Sequence, residues 1–134
     1  LVPLTGRKQR IEGAIVEGVL LDPGQLARAA VDAASDKKAS DVLLLDIHEV
    51  TTFADYFVIC SGTNRRQIQA IADAIDEQLS RQGASLLHRE GDAETGWVLL
   101  DFGDVIVHIL GPKEREYYDL ERLWSGAKTV VYLQ

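Results

Sequence analysis

Trp97-Val98-Leu99-Leu100-Asp101-Phe102-Gly103-Asp104-Val105-Ile106-Val107-His108-Ile109-Leu110 reads as two β-rich runs joined by two residues. A Gly-first two-residue connection between such runs predicts a hairpin, because glycine supplies the positive φ that a type II′ turn requires. With the turn at Gly103-Asp104, Phe102 pairs with Val105 and the rest of the ladder follows. One face then carries Val98, Leu100, Phe102, Val105, Val107 and Ile109, and its wholly apolar character requires cover by helices. The opposite face carries Trp97, Leu99, Asp101, Ile106, His108 and Leu110. It is too apolar for a solvated surface and too polar for a plain core. Two readings follow: an interface whose centre is aromatic, or intramolecular cover, for which the tail Val130–Leu133 is the candidate. Asp101 and His108, on neighbouring strands, are expected to hydrogen-bond as a structural pair.

Working outward, Asp22-Pro23 opens a helix, with Asp22 as cap and Pro23 in the first turn. Leu26, Ala27, Ala30, Val31 and Ala34 recur at helical spacing, and Lys37-Lys38 suit the C-terminal end of the dipole. Strands are expected at Asp41–His48 and Tyr56–Cys60. Asn64 with Gln67 suggests a capping box. It opens a helix whose stripe is Ile68, Ile71, Ala72, Ile75 and Leu79 and whose end is Gly83. A strand near Leu86–Arg89 leads through Glu90-Gly91-Asp92-Ala93-Glu94-Thr95-Gly96 into the hairpin. After Gly111-Pro112 a single helix is expected from about Lys113 to Ser125, with Tyr117, Leu120 and Trp124 on one stripe. Val130–Leu133 can add a short edge strand. The order helix, two strands, helix, three strands, helix makes an α/β (α+β) fold with a mixed five-stranded sheet flanked by helices. Residues 22–134 form the expected domain, and residues 1–21 are left unassigned.

Composition narrows the function. The chain has 134 residues, a hydrophobic share of 46%, a charged share of 26% and a net charge of −7. No apolar run approaches the roughly 18 to 20 residues that cross a bilayer. Lys and Arg are dispersed, so the basic patch that phosphate recognition needs is missing, and little direct nucleic-acid binding is expected. An acidic chain is attracted instead to a basic protein. A single cysteine, Cys60, allows no intramolecular disulfide and suggests a reducing compartment. No secretory signal is visible, and the absence of any Met suggests a processed or trimmed start.

Candidate chemistry is sparse. Asp101, Asp104 and His108 are the nearest grouping of carboxylates and imidazole, and an atypical metal site there would make the chain a nucleotidyl- or phosphoryl-transfer enzyme. A metal site wants three convergent ligands, and Asp104, at the turn, is expected to point away. Cys60 reads as a small buried hydrophobe. Ser61-Gly62-Thr63-Asn64-Arg65-Arg66 opens a helix and invites comparison with a phosphate cradle, but lacks the P-loop spacing, so helix capping is preferred. The acidic loop Glu90, Asp92, Glu94 does not have EF-hand spacing and reads as solvated.

Several ordered blocks carry a resemblance. Asp55-Tyr56-Phe57-Val58-Ile59-Cys60-Ser61-Gly62, Arg66-Gln67, Glu90-Gly91, Trp97 to His108, and Tyr118-Asp119-Leu120-Glu121-Arg122-Leu123-Trp124 together resemble the ribosomal silencing factor (Iojap-related) family, over roughly Leu26 to Ser125. The resemblance implies a nucleotidyltransferase-like fold without that enzyme chemistry. This sequence agrees, because the Gly-Ser and Asp-x-Asp pattern that would supply carboxylates for two metals is missing. It also implies a non-enzymatic, cofactor-free protein of the bacterial cytoplasm, or of an organelle if eukaryotic. Such a protein would bind the large ribosomal subunit through protein fourteen, block subunit joining sterically and repress translation. A homodimer of the free protein is allowed. Carried onto this chain, the binding surface includes Trp97, with Asp101, Asp104, His108, Tyr118 and Glu121 as contact or supporting residues.

Overall fold

The computed structural model describes residues 15, 16 and 19–134. The unassigned segment 1–21 lies largely outside the described residues; within it a small antiparallel pair, β1 (Ile15–Val16) and β2 (Val19–Leu20), is present. The body is a six-stranded sheet in the order β5-β6-β7-β4-β3-β8. Its strands are β3 (Ser40–Asp46), β4 (Tyr56–Ser61), β5 (His88–Glu90), β6 (Trp97–Asp101), β7 (Val105–Leu110) and β8 (Lys128–Leu133). Only β4 and β7 run parallel; the other neighbours are antiparallel. The mixed α+β architecture matches the expected one, with one strand more. The sixth is the tail, which pairs along β3 (Val42 opposite Leu133, Leu43 opposite Tyr132) rather than covering the sheet.

Helix α1 (Pro23–Asp36) starts as its sequence dictates: the Asp22 carboxylate accepts from the Gly24 amide, and Pro23 occupies the first turn. Helix α2 (Arg65–Arg81) is capped by Asn64, whose side chain accepts from the Gln67 amide at 2.9 Å. The expected reciprocal bond is shifted by one residue, because the side-chain Oε1 of Gln67 accepts from the Thr63 amide. The side-chain Nε2 of Gln67 then donates to the carbonyls of Lys37 and Lys38, tying the end of α1 to the start of α2. At its far end α2 closes as a Schellman motif: Ala84 donates to the Leu79 carbonyl and Gly83 to that of Ser80, with Gly83 at φ +96°.

The hairpin register is the predicted one. Trp97 faces Leu110, Leu99 faces His108 and Asp101 faces Ile106, and the Phe102 amide donates to the Val105 carbonyl. Gly103 has φ +91°. Val98, Leu100, Phe102, Val105, Val107 and Ile109 join α1 and α2 in the main core. A second core lies on the other face, where Leu43, Leu45, Ile47, Phe57, Ile59, Ile106 and Leu110 meet Leu120. Trp97, Leu99, Trp124 and Ala127 pack against it half-buried. Intramolecular cover therefore exists, but it comes from Leu120–Ala127 and not from the tail.

That cover differs from the single helix expected over Lys113–Ser125. Two short helices, α3 (Pro112–Tyr118) and α4 (Leu120–Leu123), are separated by Asp119 at φ +47°, ψ +55°. Aspartate tolerates this left-handed conformation better than most residues, and one such residue is enough to redirect a helix. Leu120 and Trp124 still turn onto the sheet, while Tyr117, expected on the same stripe, is 81% exposed.

Two further departures are small. The strand expected near Leu86–Arg89 is β5 and begins at His88, with the Leu87 amide already donating to the Asp101 carbonyl. The acidic loop contains a 3-10 turn (Ala93–Thr95) closed by a capping box between Asp92 and Thr95. Just before it, Gly91 sits at φ +74°, where an added methyl would lie 2.1 Å from the Trp97 carbonyl oxygen. At Gly103 the added methyl would meet only Leu87 Cδ1, at 3.4 Å. Gly91→Ala is therefore expected to cost about 2 kcal/mol or more, and Gly103→Ala about 1 kcal/mol from backbone strain alone. Urea denaturation of the two variants beside the parent measures the difference, and equal costs would remove the Trp97 carbonyl as the constraint.

Candidate docking surface

The residues expected to form a site fall into three places. Trp97, His108 and Tyr118 come together. Glu121 belongs to an adjoining polar network. Asp101 and Asp104 lie toward the turn end of the hairpin, Asp101 being four residues, about 13 Å of extended chain, from Trp97.

Trp97 begins β6 and is half-buried. Its indole N–H donates to His108 Nδ1 at 3.1 Å. The Tyr118 ring packs on the indole with centroids 4.5 Å apart, and Tyr117 meets Tyr118 edge-on at 5.0 Å. Beyond His108 the rings continue inward: Phe57 lies 5.1 Å from the imidazole, Trp124 lies 4.9 Å from Phe57, and Phe53 lies 5.8 Å from Trp124. One aromatic row thus crosses β6, β7 and β4 on the second face of the sheet. It ends in exposed Tyr117 and Tyr118 on one side and exposed Phe53 on the other.

His108 is 6% exposed, and burial pushes its pKa down to about 4. Its Nδ1 accepts the hydrogen bond from the indole N–H, so the neutral ring carries its own proton on Nε2. The expected Asp101–His108 pair does not form. The Asp101 carboxylate accepts instead from the Gly103 amide at 2.8 Å, bracing the hairpin turn. The backbone carbonyl of Asp104 accepts from the amides of Asp55 and Tyr56, joining that turn to the start of β4. Among the described residues no three His, Cys, Asp or Glu side chains converge on a point that could hold a metal. Asp101, Asp104 and His108 in particular do not.

Glu121 accepts from Arg115 Nε at 2.9 Å, and Arg115 Nη1 donates to Ser61 Oγ at 2.9 Å. The Arg115 side chain is only 10% exposed, and the second Glu121 oxygen is buried without a hydrogen-bond partner. Exposed pairs such as Arg81–Glu77 contribute at most about 1 kcal/mol. The Glu121 side chain is 37% exposed, so the Arg115–Glu121 pair is buried on the arginine side alone, and loss of Glu121 would strand the buried guanidinium. Arg115, Ser61 and Tyr117 were missed by sequence reasoning. Only the charge pattern of Arg115 and Glu121 around a short polar segment could have hinted at the first.

The remaining sequence candidates resolve simply. Asn64 and Gln67 occupy the amides of Gln67 and Thr63, Gly62 donates to the Leu110 carbonyl, and Arg65 pairs with Glu94, so the stretch from Ser61 to Arg66 is a cap and not an open cradle. Cys60 is fully buried, with its thiol pushed up to about 12 by burial. No helix among the described residues is long and apolar enough to cross a membrane.

A mixed sheet with helices on one face and an aromatic, partly covered second face defines this as a small α+β domain with a candidate docking surface. Residues 21–133 match the family described as "RsfS: Ribosomal silencing factor during starvation". The chain is 42% identical over 106 residues to the ribosomal silencing factor of Halalkalibacterium halodurans, covering 79% of this chain and 91% of that protein. It is 44% identical over 102 residues to that of Bacillus subtilis, covering 76% and 86%. A crystal structure of a protein from Chromobacterium violaceum superposes with a TM-score of 0.76 at 31% identity, over 84% of this chain and 92% of that one. The chain belongs to the ribosomal silencing factor family.

Burial of His108 has a measurable consequence. In the unfolded chain the imidazole has its ordinary value of 6.5, and in the folded chain about 4. Between these values the unfolded state binds the extra proton, so stability rises with pH through this window. The contribution is complete above 6.5 and is lost as pH falls toward about 4, on the order of 3 kcal/mol in all. Denaturation of the parent and of His108→Gln from pH 7 to pH 4 compares the two slopes; parallel curves would assign the acid sensitivity elsewhere.

Proposed function

We propose that this protein represses translation by docking on the large ribosomal subunit, through ribosomal protein fourteen at the intersubunit face, and sterically preventing the small subunit from joining. Residues 22–134 would act as the docking domain, without catalysis or cofactor, in a bacterial cytoplasm or an organelle. The observation that carries this reading is Trp97, held by His108 and Tyr118 at the rim of the aromatic row beside exposed Tyr117 and Tyr118. Aromatic anchors of this kind dominate the energy of protein interfaces because they bury large areas with few rotatable bonds. The second support is charge. With a net charge of −7, the chain suits a basic ribosomal protein and disfavours bare RNA.

The roles of the site residues then separate. Trp97 and Tyr118 would make contact; His108 would fix the indole; Glu121 would support the helices; Asp101 and Asp104 would shape the hairpin turn at the edge of the surface. In the free protein a second copy could occupy the same face, giving a homodimer that dissociates on docking.

Trp97→Ala is expected to leave the fold intact and weaken large-subunit binding by about 2 kcal/mol or more, roughly thirtyfold. Subunit association on sucrose gradients, with circular dichroism as the folding control, tests both parts. The parent protein should hold subunits apart at concentrations where Trp97→Ala does not. Equal anti-association by the folded variant would remove Trp97 from the surface, and no effect of the parent would remove the function.

A further inference from the structure

The arginine in the middle of α3, Arg115, lies outside the contact residues described above, and its surroundings are unusual. Arg115 is nine-tenths buried, yet it lies on a seven-residue helix with no buried apolar residue of its own. Its guanidinium is shared: Nε donates to Glu121 in α4 and Nη1 to Ser61 at the end of β4, both at 2.9 Å. The two carboxylate contacts that a forked guanidinium could make are not both used, and one Glu121 oxygen is left buried and unpaired. A fully satisfied pair would be bidentate, so the geometry favours bridging sheet and helix over pairing with the carboxylate alone.

The bridge spans the one left-handed residue of the segment. Asp119 stands between Arg115 and Glu121, and its amide donates to the Arg115 carbonyl at 3.1 Å. The main chain and the side chain of Arg115 thus hold the kink from both sides. Tyr118 is three residues beyond Arg115, on the same side of the helix, and its ring rests on Trp97. We propose that Arg115 is the positioning residue of the docking surface: bridging Ser61 and Glu121, it sets the α3–α4 kink and thereby seats Tyr118 on Trp97. This rests on the docking role proposed above, though the seating of Trp97 can be tested without a ribosome.

Lysine keeps the charge but cannot bridge two acceptors with a rigid fork. In a Trp124→Phe background, where Trp97 is the sole indole, Arg115→Lys should shift the Trp97 emission to the red as Tyr118 leaves it and water arrives. In the natural background the same substitution should weaken binding to purified large subunits roughly tenfold or more, with the circular dichroism spectrum retained. Ser61→Ala leaves the ion pair in place and removes only the sheet anchor, so it should move both readings in the same direction by less. It also carries the test if Arg115→Lys fails to fold. Replacement of the exposed Arg81 by lysine should change neither reading.

Parental emission and parental binding in a folded Arg115→Lys protein would overturn the proposal, as would parental values for Ser61→Ala where Arg115→Lys does not fold. A parent chain that ignores large subunits, with Arg115→Lys still freeing Trp97, would sink the docking role and leave the positioning role standing.

Discussion

Both faces of β7 are loaded with side chains that water solvates poorly, and every position from Val105 to Leu110 is buried. A strand of that kind must be sandwiched, and most of the fold follows from it. One face is covered by α1 and α2, each with a continuous apolar stripe. Cover for the other has to come from the short chain left after Leu110, and that chain supplies helices of only seven and four residues before it must reach the sheet edge as β8. Leu120 enters this second core and Trp124 packs edge-on against Phe57 of β4. The cover fades toward β6, which is why Trp97 is left half-buried at its rim.

Charge is arranged to suit that rim. The imidazole of His108 is kept neutral by burial, its Nδ1 accepting a hydrogen bond from the indole N–H, so the aromatic row contains no net charge along its length. Carboxylates lie at its margins: Asp101 turned to the Gly103 amide, Glu121 to Arg115. An apolar centre with a charged border is how protein interfaces limit desolvation cost while choosing partners by sign.

What could be read from the sequence was whatever depends on near neighbours. The Asp22 and Asn64 caps, the α2 stripe, the Gly83 terminus and the hairpin register rest on residues a few positions apart, and all were legible. The partner of His108 was not, although the register was right. Trp97 and Asp101 are both diagonal neighbours of His108 across the ladder, and the right-handed twist of a hairpin brings one diagonal closer than the other. Asp101 was in any case engaged by its own turn. The split of the last helix turned on one backbone angle at Asp119, which periodicity cannot register. Arg115 and Ser61 are 54 positions apart, and the tail's pairing with β3 spans a still longer stretch of chain. Such contacts exist only once the sheet order is known.

Short helices with no buried residue in α3 would ordinarily be loose, and loose helices make a poor docking surface because ordering them on binding subtracts from affinity. Here the segment is held at three levels. At its start Glu114 lies over two glycines: a methyl added at Gly96 or at Gly111 would come within 2.6 Å of the carboxylate, so both positions are spaces the side chain occupies. In the middle Arg115 reaches the end of β4. At its end Leu120 enters the second core. Each hold uses a different force: steric fit, a charged hydrogen bond, and apolar burial. No single helix turn could combine them, because they point in different directions around the axis. The kink at Asp119 is what lets one short segment satisfy all three, so the anchor of the proposed docking surface is held in place beforehand, which would favour rigid docking over folding on contact.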